Sequence, residues 1–231
     1  SPEREPEAEI AVIVDPESTY YINDEHRETI AHKLNPQLIV SCNRIGTPYR
    51  VFSFRDIPRI PDLSRFRLII FSGLFELTPE KEAILHKHIL KNGRTVIWTY
   101  GAALFDSLRK TPERMKELTG IPFGTSSVTA VEMPGWHSIF IPEVELLTPE
   151  LLQSCARNAG VHLYTDMQCP VWAARDLLMV HTTESGKRTI RLNHPAKVRI
   201  LLGNPVPEQK TMEFEYEFSG PETILAELLE E

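Results

Sequence analysis

The sequence predicts an α/β protein, a mostly parallel sheet of roughly five strands with helices on both faces, followed by a small antiparallel β-sandwich. Three observations predict it. Residues 67–104 read RLIIFSG, TPEKEAILHKHILKNG and TVIWTYGAAL, a strand, a helix and a strand in succession. The two strands are continuous apolar runs rather than alternating ones, as expected where helices cover both faces of a parallel sheet. Beyond Gly160 the helical period gives way to short β-rich runs divided by turn residues.

In order, IAVIV from Ile10 is the first strand, residues 25–44 are helical, and YRVFSF from Tyr49 is the second strand. Pro36 has no amide hydrogen, so a kink or a fresh helix start is expected there, with Asn35 as the cap. Thr78, Thr111 and Thr148 each precede Pro-Glu, the spelling of a helix N-terminus, and Gly93 is the expected left-handed stop of the helix that Thr78 opens. Val12, Val14, Ile69, Phe71, Val96 and Trp98 are the expected central core. From Val161 the runs VHLY, PVWAA, LLMVHTT, RTIRL, KVRILL, EFEYEF and TILAEL are candidate strands, with Glu184 to Lys187 as a hairpin turn and Gly203-Asn204-Pro205 as a further break. Residues 1–9 read as a linker, 10–160 as the α/β domain and 161–231 as the β-sandwich. The acidic, proline-containing start reads as an interdomain segment, which suggests a piece of a longer protein.

Composition excludes several function classes. The 231 residues carry a formal net charge of −7, with no basic footprint for nucleic acid. No apolar run reaches the roughly 18 residues of a membrane span, and no signal-peptide pattern is present. A soluble protein is expected, with the cytoplasm favoured. Cys42, Cys155 and Cys169 make neither a disulfide framework nor a metal spacing, so buried, reduced thiols are expected. His86 and His88 lie about 200° apart around a helix and cannot share a metal. Neither a metal nor a cofactor is expected.

The segments AVIVDPES, RIGTPY, RLIIFSGLFELTPE, KNGRTVIWTYGA, AGVHLY, GKRTIRL and GPETILAEL together resemble the noncatalytic C-terminal half of β-galactosidase-like glycoside hydrolases. In that family a TIM barrel carries catalysis. It is followed by a flavodoxin-like, class I glutamine-amidotransferase-like α/β domain associated with trimer formation, and then by a small β-sandwich. The resemblance implies an upstream catalytic barrel in the same parent chain, a homotrimer, and a carbohydrate as the parent's ligand. It also marks a departure. Class I amidotransferases carry a cysteine nucleophile at a strand-to-helix elbow, and the corresponding position here is near Gly101, which cannot attack anything.

The carboxyl ends of parallel strands are where such sheets bind ligands. Asp15 and Ser18 after the first strand, Ser72 and Gly73 after the third, and Tyr100 and Gly101 after the fourth are therefore the candidate pocket; turn capping is the competing use of Asp15, Ser18 and Ser72. No base is evident for Ser72 as a nucleophile. Phe123, Met133, Trp136 and Phe140 lie in a stretch poor in charge and read as a subunit interface, with a lid over the chain's own sheet or packing against the sandwich as the competing use. Trp136 beside His137, and His162 beside Tyr164, are expected to pack between the two domains. Two functions follow: a noncatalytic assembly module of a glycoside-hydrolase-like protein, or an independent small hydrolase or ligand-binding protein using that pocket.

Overall fold

The computed structural model describes residues 5–107 and 109–229. Its larger sheet is built on β1 (Ile10–Val14), β3 (Leu68–Glu76) and β4 (Arg94–Asp106), with β2 (Tyr49–Ser53) outside β1 and β7 (Trp136–Ile141) outside β4. These five strands run parallel in the order β2-β1-β3-β4-β7. That is the doubly wound flavodoxin-like order, with its switch point between β1 and β3. Antiparallel β6 (Thr129–Met133) extends the sheet beyond β7, and the two-residue β5 (Arg109–Lys110) pairs with the end of β4.

Every residue of β3 is buried. Successive side chains feed opposite cores, as a pleated strand requires. Ala11, Ile13, Ile69 and Phe71 join one apolar cluster with Leu85 of α3 (Pro79–His88), Ile89 just beyond its end, and Met115 of α4 (Glu113–Thr119). Ile10, Val12, Leu68 and Ile70 join the other, with Leu38 of α2 (Asn35–Cys42) and Leu152 of α5 (Pro149–Asn158). Of the six expected core residues only Val14 is half-exposed, because it ends its strand.

Thr78 and Thr148 cap their helices, each side chain accepting a hydrogen bond at 3.2 Å from the backbone N–H of Lys81 and Leu151. Thr111 does not; α4 starts from Pro112 without a side-chain cap. Gly93 is left-handed, but in the turn into β4, several residues beyond the end of α3.

Pro36 breaks nothing. Helix α1 (Asp24–Thr29), capped by Asn23, continues through a π-helical turn, Ile30–Leu34, directly into α2. The wider turn accommodates a residue that cannot donate to the carbonyl four positions back. Asn35 is thus helical rather than a cap, and its side-chain carbonyl accepts a hydrogen bond from Ser72 Oγ at 2.6 Å.

The small domain is one continuous antiparallel sheet, ordered β11-β10-β12-β9-β8. The strands are β8 (Val171–Ala173), β9 (Leu177–Thr182), β10 (Ser185–Leu202), β11 (Lys210–Ser219) and β12 (Glu222–Leu229). Strand β10 fuses the runs RTIRL and KVRILL, and register shifts at 191/196 and 200/202 bend it, which lets one apolar face close into a single cluster. VHLY is not a strand. Residues 184–187 form no hairpin turn, because β9 and β10 are separated by β12 in the sheet.

The two units are stitched together rather than tethered. Glu7 N–H donates to Ala173 O, the Glu9 carboxylate accepts from the backbone N–H of His162, and Tyr164 N–H donates to Gly46 O. Gly46 has φ of 81° and a Cβ there would lie 2.3 Å from Thr165 O, so only glycine fits. His162 packs edge-on against Tyr164, 4.6 Å between centroids, with Nε2 at 3.3 Å from Arg191 O.

Burial of His162 pushes its pKa below 6.5, more than the Arg191 carbonyl and Glu9 push it back up. The unfolded chain therefore takes up this proton at higher pH than the folded one. Stability is lost as pH falls from about 6.5 through the folded value. Asp166, held below 3.8 by its hydrogen bond from Arg191, loses its contribution only at more acidic pH. His162→Gln should flatten the melting-temperature decline between pH 7 and about pH 5. An unchanged pH profile would refute this role of His162.

Candidate functional site

The carboxyl ends of β1 and β3 carry a closed ionic network. Lys81 Nζ reaches Asp15 Oδ2 at 2.6 Å and Glu76 Oε2 at 2.8 Å. Ser18 Oγ donates to Asp15 at 2.5 Å and accepts from the backbone N–H of Glu76 at 3.0 Å. All four residues are buried, and the ammonium sits 5.7 Å from the Phe54 ring centroid. A hydrogen bond to Glu76 raises the pKa of the Tyr21 phenol. Above the network opens a cleft of about 480 Å³ edged by Glu17, Tyr20 and Arg55. Asp15 and Ser18 are thus committed to structural partners beneath the cleft.

Ser72 is buried and its hydroxyl donates to Asn35, so no base activates it. The thiols of Cys42 and Cys169 are pushed up by burial to about 12, and that of Cys155 to about 11, which keeps all three protonated and unreactive at neutral pH. No disulfide joins them. Among the described residues no group of His, Cys, Asp or Glu is placed to hold a metal, and no helix is long and apolar enough to cross a membrane.

The remaining candidates meet around Phe75. Gly73 has φ of 71° and a Cβ there would approach the Phe75 ring to 2.8 Å; a Cβ on Gly101 would come within 3.1 Å of the same ring. Between these glycines Tyr100 takes φ of 65°, a left-handed conformation that costs a bulky residue about 1–3 kcal/mol. Tyr100, one residue before Gly101, is thus left-handed, as is Ala103 (φ of 53°) farther along β4. No strand-to-helix elbow follows. Strand β4 runs on to Asp106, pairing Ala102 with Leu74 and Phe105 with Glu76.

Tyr100 turns its hydroxyl to His26 Nδ1 at 2.8 Å. Reading the sequence as lacking any His-x-Glu to complete an amidotransferase triad is corrected here: His26-Arg27-Glu28 is such a spelling. Its place on α1, entered from the switch-point strand β1, was the available signal. His26 and Tyr100 line a second cavity, of about 540 Å³, with Tyr21, Phe75, Phe105 and Lys110. The six pocket candidates are therefore divided. Asp15 and Ser18 lie under one cleft, Tyr100 lines the other, Gly73 and Gly101 admit Phe75 between them, and Ser72 is sealed against α2.

The candidate interface also divides. Residues 129–141 form the β6-β7 hairpin, and Trp136 and Phe140 point into the sheet's core, 5% and 4% exposed. Trp136 meets Trp98 edge to face at 6.2 Å, and Trp98 Nε1 donates to Ser138 Oγ at 3.1 Å. This corrects both assignments made for Trp136, at a subunit contact and between the domains: alternation along a strand places it inside the α/β domain. Met133 is half-buried against the same cluster, and only Phe123, 59% exposed, presents a large apolar face to solvent.

No protein-family model and no curated protein sequence matches the chain. Among solved structures, Gan42B, a GH42 β-galactosidase from G. stearothermophilus, superposes with a TM-score of 0.63 at 14% identity over 95% of this chain and 40% of that one. A β-galactosidase from Bacillus circulans sp. alkalophilus gives 0.62 at 12% identity over 97% of this chain and 42% of that one. One from the psychrophilic Marinomonas ef1 gives 0.58 at 10%, over 95% and 37%. The chain thus has the fold of a part of these β-galactosidases and spans about 40% of their length.

Proposed function

We propose that this chain is a structural and assembly module of a glycoside-hydrolase-like protein, standing beside a catalytic barrel in the same parent chain and doing no chemistry itself. The observation that carries the reading is the fold likeness, which takes in nearly all of this chain but only about 40% of each β-galactosidase. Supporting it, the position where an amidotransferase would carry its nucleophile holds Tyr100 and Gly101, with no helix after them. In this reading residues 10–160 make the subunit contacts of a homotrimer and 161–231 brace them. Phe123, outside the sheet and solvent-facing, is the contact residue that remains of the four expected.

The purified chain is expected to turn over neither chromogenic galactosides nor glutamine, and to self-associate by light scattering. Phe123→Glu is expected to weaken that association about tenfold, with an unchanged melting temperature, because a charge at an interface centre stays unpaired. Turnover abolished by Ser72→Ala or Asp15→Asn would overturn the noncatalytic reading. A strict monomer at high concentration would remove assembly by the isolated module.

A further inference from the structure

We propose that the aromatic cavity between α1 and the end of β4 is a binding site for a flat, largely apolar organic anion, in its simplest form an aryl carboxylate. The inference goes beyond the assembly reading, and Phe123, the contact residue of that reading, also edges this cavity.

The cavity encloses about 540 Å³, within the range of small-molecule sites. Its walls are rings: Tyr21 and Phe105 stack with centroids 6.3 Å apart, and Phe75 stands edge-on to Tyr100 at 6.2 Å. Such walls favour a flat apolar body over a hydroxyl-rich one. The polar groups are few: the Tyr21 phenol, the Asn23 amide, whose oxygen accepts from the His26 backbone N–H, His26, Tyr100 and Lys110. Tyr100 and His26 share a hydrogen bond, leaving the His26 ring to present polarity at the wall, and Lys110 supplies a positive charge.

No Asp or Glu lines this cavity, in a chain with 32 acidic residues against 25 basic ones. The acidic groups lie next door, where Glu17, Glu76 and Glu80 edge the other cleft. Glu25 and Glu145 act on Tyr100 through space and are not among the lining residues. Lys110 itself is exposed and has no ion pair among the described residues. A charge left unpaired at the mouth of an apolar cavity is matched by an anion, and a hydrogen bond to a charged partner is worth roughly twice a neutral one.

The backbone gives independent support. Gly73 and Gly101 leave no room for a Cβ beside Phe75, and between them Tyr100 is held at a positive φ that its own side chain disfavours. Strain of this kind persists where the surroundings over-determine it and clusters at ligand clamps. Here Phe75 stands edge-on to Tyr100 and Tyr100 shares a hydrogen bond with His26, so the three make one continuous wall. A neutral sugar would find no carboxylate to accept from its hydroxyls.

The test measures dissociation constants by isothermal titration for phenylacetate, the uncharged 2-phenylethanol, the cationic phenethylamine and D-galactose. Phenylacetate is expected to bind about tenfold tighter than 2-phenylethanol, with phenethylamine and galactose weaker still. Lys110→Met, at an exposed position without an ion pair, should erase the preference for the anion while leaving 2-phenylethanol unchanged. Tyr100→Phe, which keeps the ring, should weaken phenylacetate less than Tyr100→Ala. The proposal is overturned if no probe binds at millimolar concentration, if the cation or galactose binds as well as phenylacetate, or if Lys110→Met leaves the anion preference intact.

Discussion

Trp98→Ala is expected to destabilise the protein by about 3–5 kcal/mol, a large share of the 5–15 kcal/mol that holds a typical domain together. Trp98 is fully buried at the middle of the larger sheet, stacked on Phe71 at 4.9 Å and 9° and crossed by Trp136 at 6.2 Å. Truncation would remove both ring contacts and leave the Ser138 hydroxyl, now its hydrogen-bond acceptor, without a donor. Strands β3, β4 and β7 would then border one cavity. Urea unfolding followed by fluorescence of the other tryptophans measures the change, and a loss below about 1 kcal/mol would mean that Trp98 is not the centre of this core. Trp98→Phe should recover most of the loss, because a ring is kept at the contact with Phe71.

Lys81→Met is expected to cost a similar amount, about 3–5 kcal/mol, for an electrostatic reason. Met fills the same space but leaves the carboxylates of Asp15 and Glu76 buried without a cation. Burial by itself would push the Lys81 pKa down; hydrogen bonds to Asp15 and Glu76 outweigh it and the pKa is raised above 10.5. A folded pKa above the unfolded one means that the stabilisation is fully present below pH 10.5 and is lost as pH rises through the folded value. At neutral pH the whole contribution is at stake. The deficit of Lys81→Met should shrink on acidification, because a protonated carboxyl needs no cation. A deficit that stays constant from pH 8 to about pH 4 would show that packing, not charge, is what Lys81 supplies.

The parts of this fold that the sequence discloses are the local ones. The β3-α3-β4 unit declares itself because Thr78 and Pro79 mark the helix start within four residues and both strands are unbroken apolar runs. The π-turn before Pro36 was hidden, since a proline constrains its own turn but does not say whether the helix stops or widens. The β6-β7 hairpin escaped notice because Trp136, His137 and Ser138 alternate in burial without alternating simply in polarity. In the site, the tie between His26 and Tyr100 joins residues 74 positions apart, and nothing local announces it. Tyr100's left-handed backbone is equally silent, because a tyrosine inside an apolar strand run carries no local sign of a positive φ. Asp15 and Ser18 read as pocket-rim or turn-capping residues; their burial under Lys81 is not legible, because the inward direction of that helix residue depends on how α3 docks.

The seam between the two units has a consequence for the order in which the chain can finish folding. Its N-terminal side is synthesised first: Glu9 accepts a hydrogen bond from His162, 153 residues later, and Glu7 bonds to the small sheet at Ala173 and Asn193. The α/β core can close on its own short-range units while the ribosome is still extending the chain. Residues 5–9 cannot find these partners in the small sheet until it emerges. The earliest-made described segment is thus among the last to gain its full set of contacts, and it acts as a clasp that fastens the two units only when both have been made.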